Sequence, residues 1–154
     1  MPEAGAKAPK FSGITQDGST ISLADFKGRK VALYFYPQDN TSVCTKQACS
    51  LRDGFPDLSK WDIVVLGVSP DDEASHRSFI AKYDLPYTLI ADPKRKIMGK
   101  YGTYGPKNMY GNVVMGVRRT TFLIDEKGVI VKVIKRPNNT DHASDILKGF
   151  GLAE

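Results

Sequence analysis

Cys44 and Cys49 are the only cysteines in this chain of 154 residues. Thiols can bind a metal, attack an electrophile or exchange with a disulfide. A structural zinc site usually draws four Cys or His ligands at tight spacings, and only His76 and His142 could join the cysteines. His76 falls on an apolar helical face and reads as a packing histidine with its hydrogen bonds satisfied. His142 opens the last helix and reads as a surface residue. No metal or other cofactor is therefore expected. Thiol chemistry fits better. Cys44 falls in the first turn of a helix that follows a buried strand, where amide donors and the helix dipole favour an anion, here a thiolate. Thr41, three residues earlier, can bring a hydroxyl to the same place. By position alone an inert buried thiol is an equal reading.

The spacing to Cys49 adds a geometric condition. Five helical residues give about 7.5 Å of rise and about 140° of rotation. The Cα atoms then lie ~8.5 Å apart, beyond the ~7 Å that a disulfide spans. If both residues stay helical they cannot bond, and if they bond the helix must unwind between them. Such a pair suits a switch better than a staple.

Strands and helices alternate along the chain that must hold these residues. Phe11 to Thr15 and Thr20 to Leu23 flank a hairpin turn at Gln16–Ser19, after an extended arm that runs to about Pro9. Val31 to Tyr36 and Ile63 to Val68 are runs of strand formers expected to be buried on both faces. Pro37 closes the first of these. A helix capped by Thr41 or Ser42 is expected to run to about Asp53, with Gly54 and Pro56 ending or breaking it. Ser69 caps a second helix with Asp72 completing a capping box, and His76, Phe79, Ile80 and Tyr83 form its apolar face. Tyr87 to Ala91 is a short strand, and Asp92-Pro93 starts a third helix. Gly102 to Gly116 reads as the longest loop. Thr120 to Ile124 and Val129 to Ile134 form a closing hairpin, and Asp141 begins a last helix. This order requires a sheet covered on both faces, with a mixed strand sense.

The length suits one domain, 1–154, that needs no staple to hold its core. Lys and Arg number 22 against 17 Asp and Glu, a net charge of +5, but the basic residues are dispersed. No cluster has the density of a nucleic-acid tail, no apolar run reaches the ~20 residues of a membrane span, and the start has no secretory core. The expectation is a cytoplasmic protein without nucleic-acid or membrane partners.

Phe35-Tyr-Pro-Gln-Asp-Asn-Thr-Ser-Val-Cys-Thr-Lys-Gln-Ala-Cys-Ser-Leu-Arg-Asp53 resembles the active-site segment of the peroxiredoxins, and most closely that of their bacterioferritin comigratory protein, or peroxiredoxin Q, subfamily. Gly67 to Phe79, Tyr83 to Asp92 and Arg118 to Asp125 resemble further stretches of that family, so the likeness covers about residues 5 to 150. It implies a thioredoxin-like α/β fold, three layers α/β/α with a mixed central sheet and an N-terminal β-hairpin. It implies that Cys44 is the peroxidatic cysteine and Cys49 the resolving one. Thr41 corresponds to the threonine that orients peroxide, Pro37 to the proline that shields the pocket, and Arg119 (rather than its neighbour Arg118) to the family's arginine. Gln47 falls where members often carry a glutamate, and is expected to orient Arg119. The family usually has Pro-Gly before the peroxidatic cysteine. Ser42-Val43 stands there instead, and the β-branched Val43 is costly if that position needs a positive φ.

The expected activity is reduction of hydrogen peroxide and organic hydroperoxides through a Cys44 sulfenic acid, on which Cys49 condenses to a disulfide. By the same resemblance, thioredoxin or a similar dithiol recycles the protein. An intrasubunit cysteine pair makes a monomer, or a weak dimer, sufficient. A non-catalytic, redox-sensing or chaperone-like protein on the same fold is the alternative. A thioredoxin-type oxidoreductase is less fitting, because four residues rather than two separate the cysteines.

Overall fold

The computed structural model describes residues 1–152. The elements are β1 (Ser12–Thr15), β2 (Thr20–Ser22), β3 (Lys30–Phe35), α1 (Ser42–Lys60), β4 (Ile63–Ser69), α2 (Glu73–Tyr83) and β5 (Thr88–Ala91). These are followed by α3 (Lys96–Tyr101), β6 (Tyr104–Met109), β7 (Asn112–Val117), β8 (Thr120–Ile124), β9 (Ile130–Ile134) and α4 (His142–Gly149). Seven strands form one sheet in the order β2-β1-β5-β4-β3-β8-β9. Strands β3, β4 and β5 run parallel. The two hairpins add antiparallel strands, β1 against β5 and β8 against β3. The sheet is therefore mixed, as the element order requires.

The period-2 alternation of β3 feeds two cores. Ala32, Tyr34 and Tyr36 pack with Leu51 of α1, Phe79 of α2 and Ile146 of α4 on one face. Val31, Leu33 and Phe35 pack with Ile97, Met98 and Tyr101 of α3 and with Phe11 on the other. That division gives the three layers of a thioredoxin-like fold.

Several local expectations need correction. Helix α1 does not stop near Asp53 but continues to Lys60 with Pro56 inside it. Gly54 serves packing instead of termination, since a Cβ there would lie 2.3 Å from Ala143 Cβ, where α1 crosses α4. The second helix is capped by Asp72, whose carboxylate accepts from Ser75 N, and not by Ser69. Helix α3 starts three residues after Pro93, yet Asp92 still caps it by accepting from the amides of Ile97 and Met98. Residues 102–116 are not a loop. They form the β6–β7 hairpin, turned by Tyr110 and Gly111, both with positive φ. Positive φ at two central residues matches a tight hairpin turn, a signal that the high Gly and Asn content obscured. The N-terminal arm is pinned at Lys7 by a bridge to Val129.

Candidate active site

Helix α1 begins at the C-terminal end of β3, beside its parallel neighbour β4. Open α/β sheets place their ligands at this edge. The connecting segment, residues 37–41, turns through Asn40 in the left-handed region at φ 62°, a conformation asparagine tolerates. Thr41 is the N-cap residue of α1, but its side chain makes no capping bond. Its hydroxyl donates instead to the Gln38 carbonyl at 3.0 Å, which leaves the oxygen lone pairs free to accept. Pro37 is half-buried at the start of the same segment. Val43 is helical, lies outside the positive-φ positions and is exposed, so no backbone strain attends its replacement of glycine.

Cys44 occupies the first turn of α1 and is 2 % exposed. Strand β8 pairs antiparallel with β3, Thr120 opposite Phe35. Arg119, just before β8, therefore arrives at the same end of the sheet as Cys44. Its Nη2 donates to Cys44 Sγ at 2.9 Å, and its Nη1 donates to Gln47 Oε1 at 3.3 Å. Gln47 lies one helical turn beyond Cys44, on the same face of α1, and is fully buried. Among the described residues its Nε2 has no partner. A fixed cation in contact with a buried sulfur stabilises negative charge on it. Arg118 does different work. Its guanidinium donates to the carbonyls of Pro106 and Gly102 and ties down the β6–β7 hairpin.

Cys49 is partly buried in the same unbroken helix, and both cysteines are free thiols. Regular α-helix between them holds their Cα atoms ~8.5 Å apart. Tyr87 bounds this stretch from the β5 side, its hydroxyl donating to the Ala48 carbonyl at 3.0 Å. Burial pushes the Tyr87 phenol well above its ordinary range, so it stays a donor. Tyr34 Oη lies 3.1 Å from Tyr87 Oη and completes the chain.

The histidines divide. His76 is buried and satisfied as expected, with Nδ1 2.7 Å from Asp39 Oδ2 and Nε2 3.0 Å from the Ile90 carbonyl oxygen. His142 is not a surface residue: it is fully buried, with Nε2 2.8 Å from Thr121 Oγ1 and Nδ1 3.3 Å from Asp145 Oδ2. Burial holds its pKa below the usual histidine range, with Asp145 opposing. Its place beside Ala143 and Ile146 on the inner face of α4 was the available signal. The Tyr87–Ala48 and Asp39–His76 contacts had no signal in sequence, because they join residues 39 and 37 positions apart.

Comparison with known proteins gives one consistent answer. The profile of the AhpC/TSA family matches residues 4–133. A protein named as a peroxiredoxin, bcp, in Coxiella burnetii is 46% identical over 145 residues, covering 94% of this chain and 96% of that protein. Peroxiredoxin Bcp of Bacillus subtilis is 37% identical over 146 residues, covering 95% and 93%. A solved structure of Xanthomonas campestris peroxiredoxin Q superposes with a TM-score of 0.88 at 28% identity, covering 97% of this chain and 98% of that one.

Proposed function

This chain belongs to the AhpC/TSA family, as a peroxiredoxin of the Bcp and peroxiredoxin Q kind, and from that premise we propose how its residues share the reduction of a peroxide. It is a thiol peroxidase, with a peroxide as substrate and a thiol as reductant. The observation that carries the assignment is the 2.9 Å contact between Arg119 Nη2 and Cys44 Sγ at the start of α1.

Cys44 is the peroxidatic residue. Its sulfur attacks the terminal peroxide oxygen, the O–O bond breaks, and the thiol proton ends on the departing oxygen. The products are a Cys44 sulfenic acid and water or an alcohol. Arg119 stabilises the attacking thiolate and the charge that develops on the leaving oxygen. Gln47 holds one arm of that guanidinium through Oε1, in place of the family's frequent glutamate. Thr41 accepts from the peroxide hydroxyl and aligns the O–O bond with the sulfur, while Pro37 shields the pocket and Val43 borders its mouth. Cys49 then condenses with the sulfenic acid, forming the 44–49 disulfide and releasing water. The intact helix forbids that bond, so α1 must open between the two residues.

Thioredoxin or a similar dithiol returns the disulfide to two thiols. Hydrogen peroxide and organic hydroperoxides are both substrates; a solved Xanthomonas campestris relative is described in terms of alkyl peroxide reduction. The chain acts as a single domain, 1–154, in the cytoplasm, as a monomer or weak dimer, without nucleic-acid or membrane partners. In support, no helix among the described residues is long and apolar enough to cross a membrane. A non-catalytic or chaperone-like role is not favoured in a family of peroxidases with this cysteine–arginine pair in place.

The test is peroxide consumption coupled to a thioredoxin system, with wild type, Cys44→Ser and Cys49→Ser compared. Cys44→Ser abolishes turnover, while Cys49→Ser reacts once and does not recycle. Turnover persisting in Cys44→Ser refutes the assignment.

A further inference from the structure

The segment that carries Thr41 to the site is anchored by a residue that touches no reacting atom. Asp39 is 5 % exposed, and a buried carboxylate needs donors. It accepts from Tyr36 Oη, from Ser75 Oγ at 2.8 Å and from His76 Nδ1 at 2.7 Å. Its own amide donates to Asp71 Oδ2 at 2.7 Å, an oxygen that Ser69 Oγ also meets at 2.7 Å. These contacts tie the loop after β3 to β4, to the loop that follows it and to α2. Asn40 then turns the chain through its left-handed conformation directly into Thr41.

His76 is the node of this network. It is fully buried on α2, and its Nε2 lies 3.0 Å from the Ile90 carbonyl of β5. Both ring nitrogens are engaged within the protein, Nδ1 by Asp39 Oδ2 and Nε2 by the Ile90 carbonyl oxygen. Asp39, Asp71 and His76 present ligand atoms within 4.8 Å of one another. With both ring nitrogens held by partners on other segments, and the Asp39 and Asp71 carboxylates taken up by Tyr36, Ser75, Ser69 and the Asp39 amide, the cluster reads as a clamp.

We propose that His76, acting through Asp39, is a positioning residue for the peroxide reaction. It fixes the 37–41 segment and so sets where the Thr41 hydroxyl meets the peroxide. The inference rests on the role given to Thr41 above. In-line attack is sensitive to displacement, and an error of about 1 Å in a positioning group can cost on the order of 100-fold in rate. Alkylation of the same sulfur by iodoacetamide needs the thiolate and its Arg119 contact but not Thr41. A loosened loop therefore slows peroxide selectively.

Two substitutions separate the histidine's contacts. The amide nitrogen of asparagine falls where Nδ1 was and keeps the bond to Asp39. That of glutamine falls where Nε2 was and keeps the bond to Ile90. The experiment measures, at Cys44, the second-order rate constants for hydrogen peroxide and for iodoacetamide in wild type, His76→Asn, His76→Gln and Thr41→Val. The expected result for His76→Gln is a fall of about 10- to 100-fold with peroxide, with iodoacetamide within about threefold of wild type. His76→Asn should stay near wild type with both reagents. The proposal is overturned if asparagine is the more damaging replacement, if both reagents slow together, or if neither slows. Should His76→Gln not fold, Asp39→Asn must show the same selective loss. An unchanged peroxide rate in Thr41→Val would overturn the Thr41 role itself, separately from the order of the two His76 variants.

Discussion

Replacing Tyr87 with phenylalanine isolates one contribution to the cost of opening α1. The proposed 44–49 disulfide would require the helix to unwind between Cys44 and Cys49, and Ala48 lies inside that stretch. The Ala48 carbonyl accepts from Tyr87 Oη at 3.0 Å, a bond that exists only while the helix is formed. Once the segment leaves, both groups meet water, so the loss is the net value of one hydrogen bond, about 0.5–1.5 kcal/mol. Tyr87→Phe removes that cost and should speed disulfide formation about 2- to 13-fold. Tyr34 contributes in the same direction, because its buried hydroxyl loses the Tyr87 partner 3.1 Å away in the closed form. Tyr87 makes no hydrogen bond to Cys44 or Arg119, so sulfenic acid formation should proceed at the wild-type rate. The assay mixes reduced protein with one equivalent of hydrogen peroxide, quenches it by acid and counts free thiols by mass spectrometry. Trp61, the only tryptophan, at the C-cap of α1, offers a fluorescence reporter of the same step. A disulfide-formation rate equal to or slower than wild type would refute the idea that this bond restrains α1.

Four other outcomes are expected. Hydrogen exchange of amides 45–52 should rise when the 44–49 disulfide forms; unchanged protection in protein proven to contain the disulfide would contradict unwinding. Arg119→Met removes a charged hydrogen bond to Cys44 and should slow peroxide reaction about 10- to 150-fold in stopped-flow measurements. Gly54→Ala sets a Cβ 2.3 Å from Ala143 Cβ between two helices and should lower stability by about 1–3 kcal/mol in denaturant melts. Burial lowers the His142 pKa in the folded state, so the unfolded chain binds the proton more readily. Its contribution to stability is full above the unfolded value of 6.5 and declines as pH falls below it. His142→Asn should flatten that decline in melts compared at pH 7.5 and pH 5.5.

The local sequence was enough to find the parts of this protein that depend on short-range rules. Alternation in β3, the position of Cys44 at a helix start and the Cys44–Cys49 spacing all follow from the periods of strand and helix. The family likeness then pointed to Arg119, which no local pattern singles out. Local reading failed where a distant contact overrode a local signal. Gly54 and Pro56 look like helix breakers, yet α1 continues because Leu51 and Leu58 bury their side chains on either side of them. His142 looks exposed at a helix start, but Thr121 of β8 and Asp145 give it a buried place. Only tertiary structure puts Arg119, 75 residues away, against Cys44. Only tertiary structure fastens the Thr41 segment to His76 and the Ala48 carbonyl to Tyr87. Helix and strand periods act over a few residues, whereas these contacts depend on which strands lie side by side in the sheet.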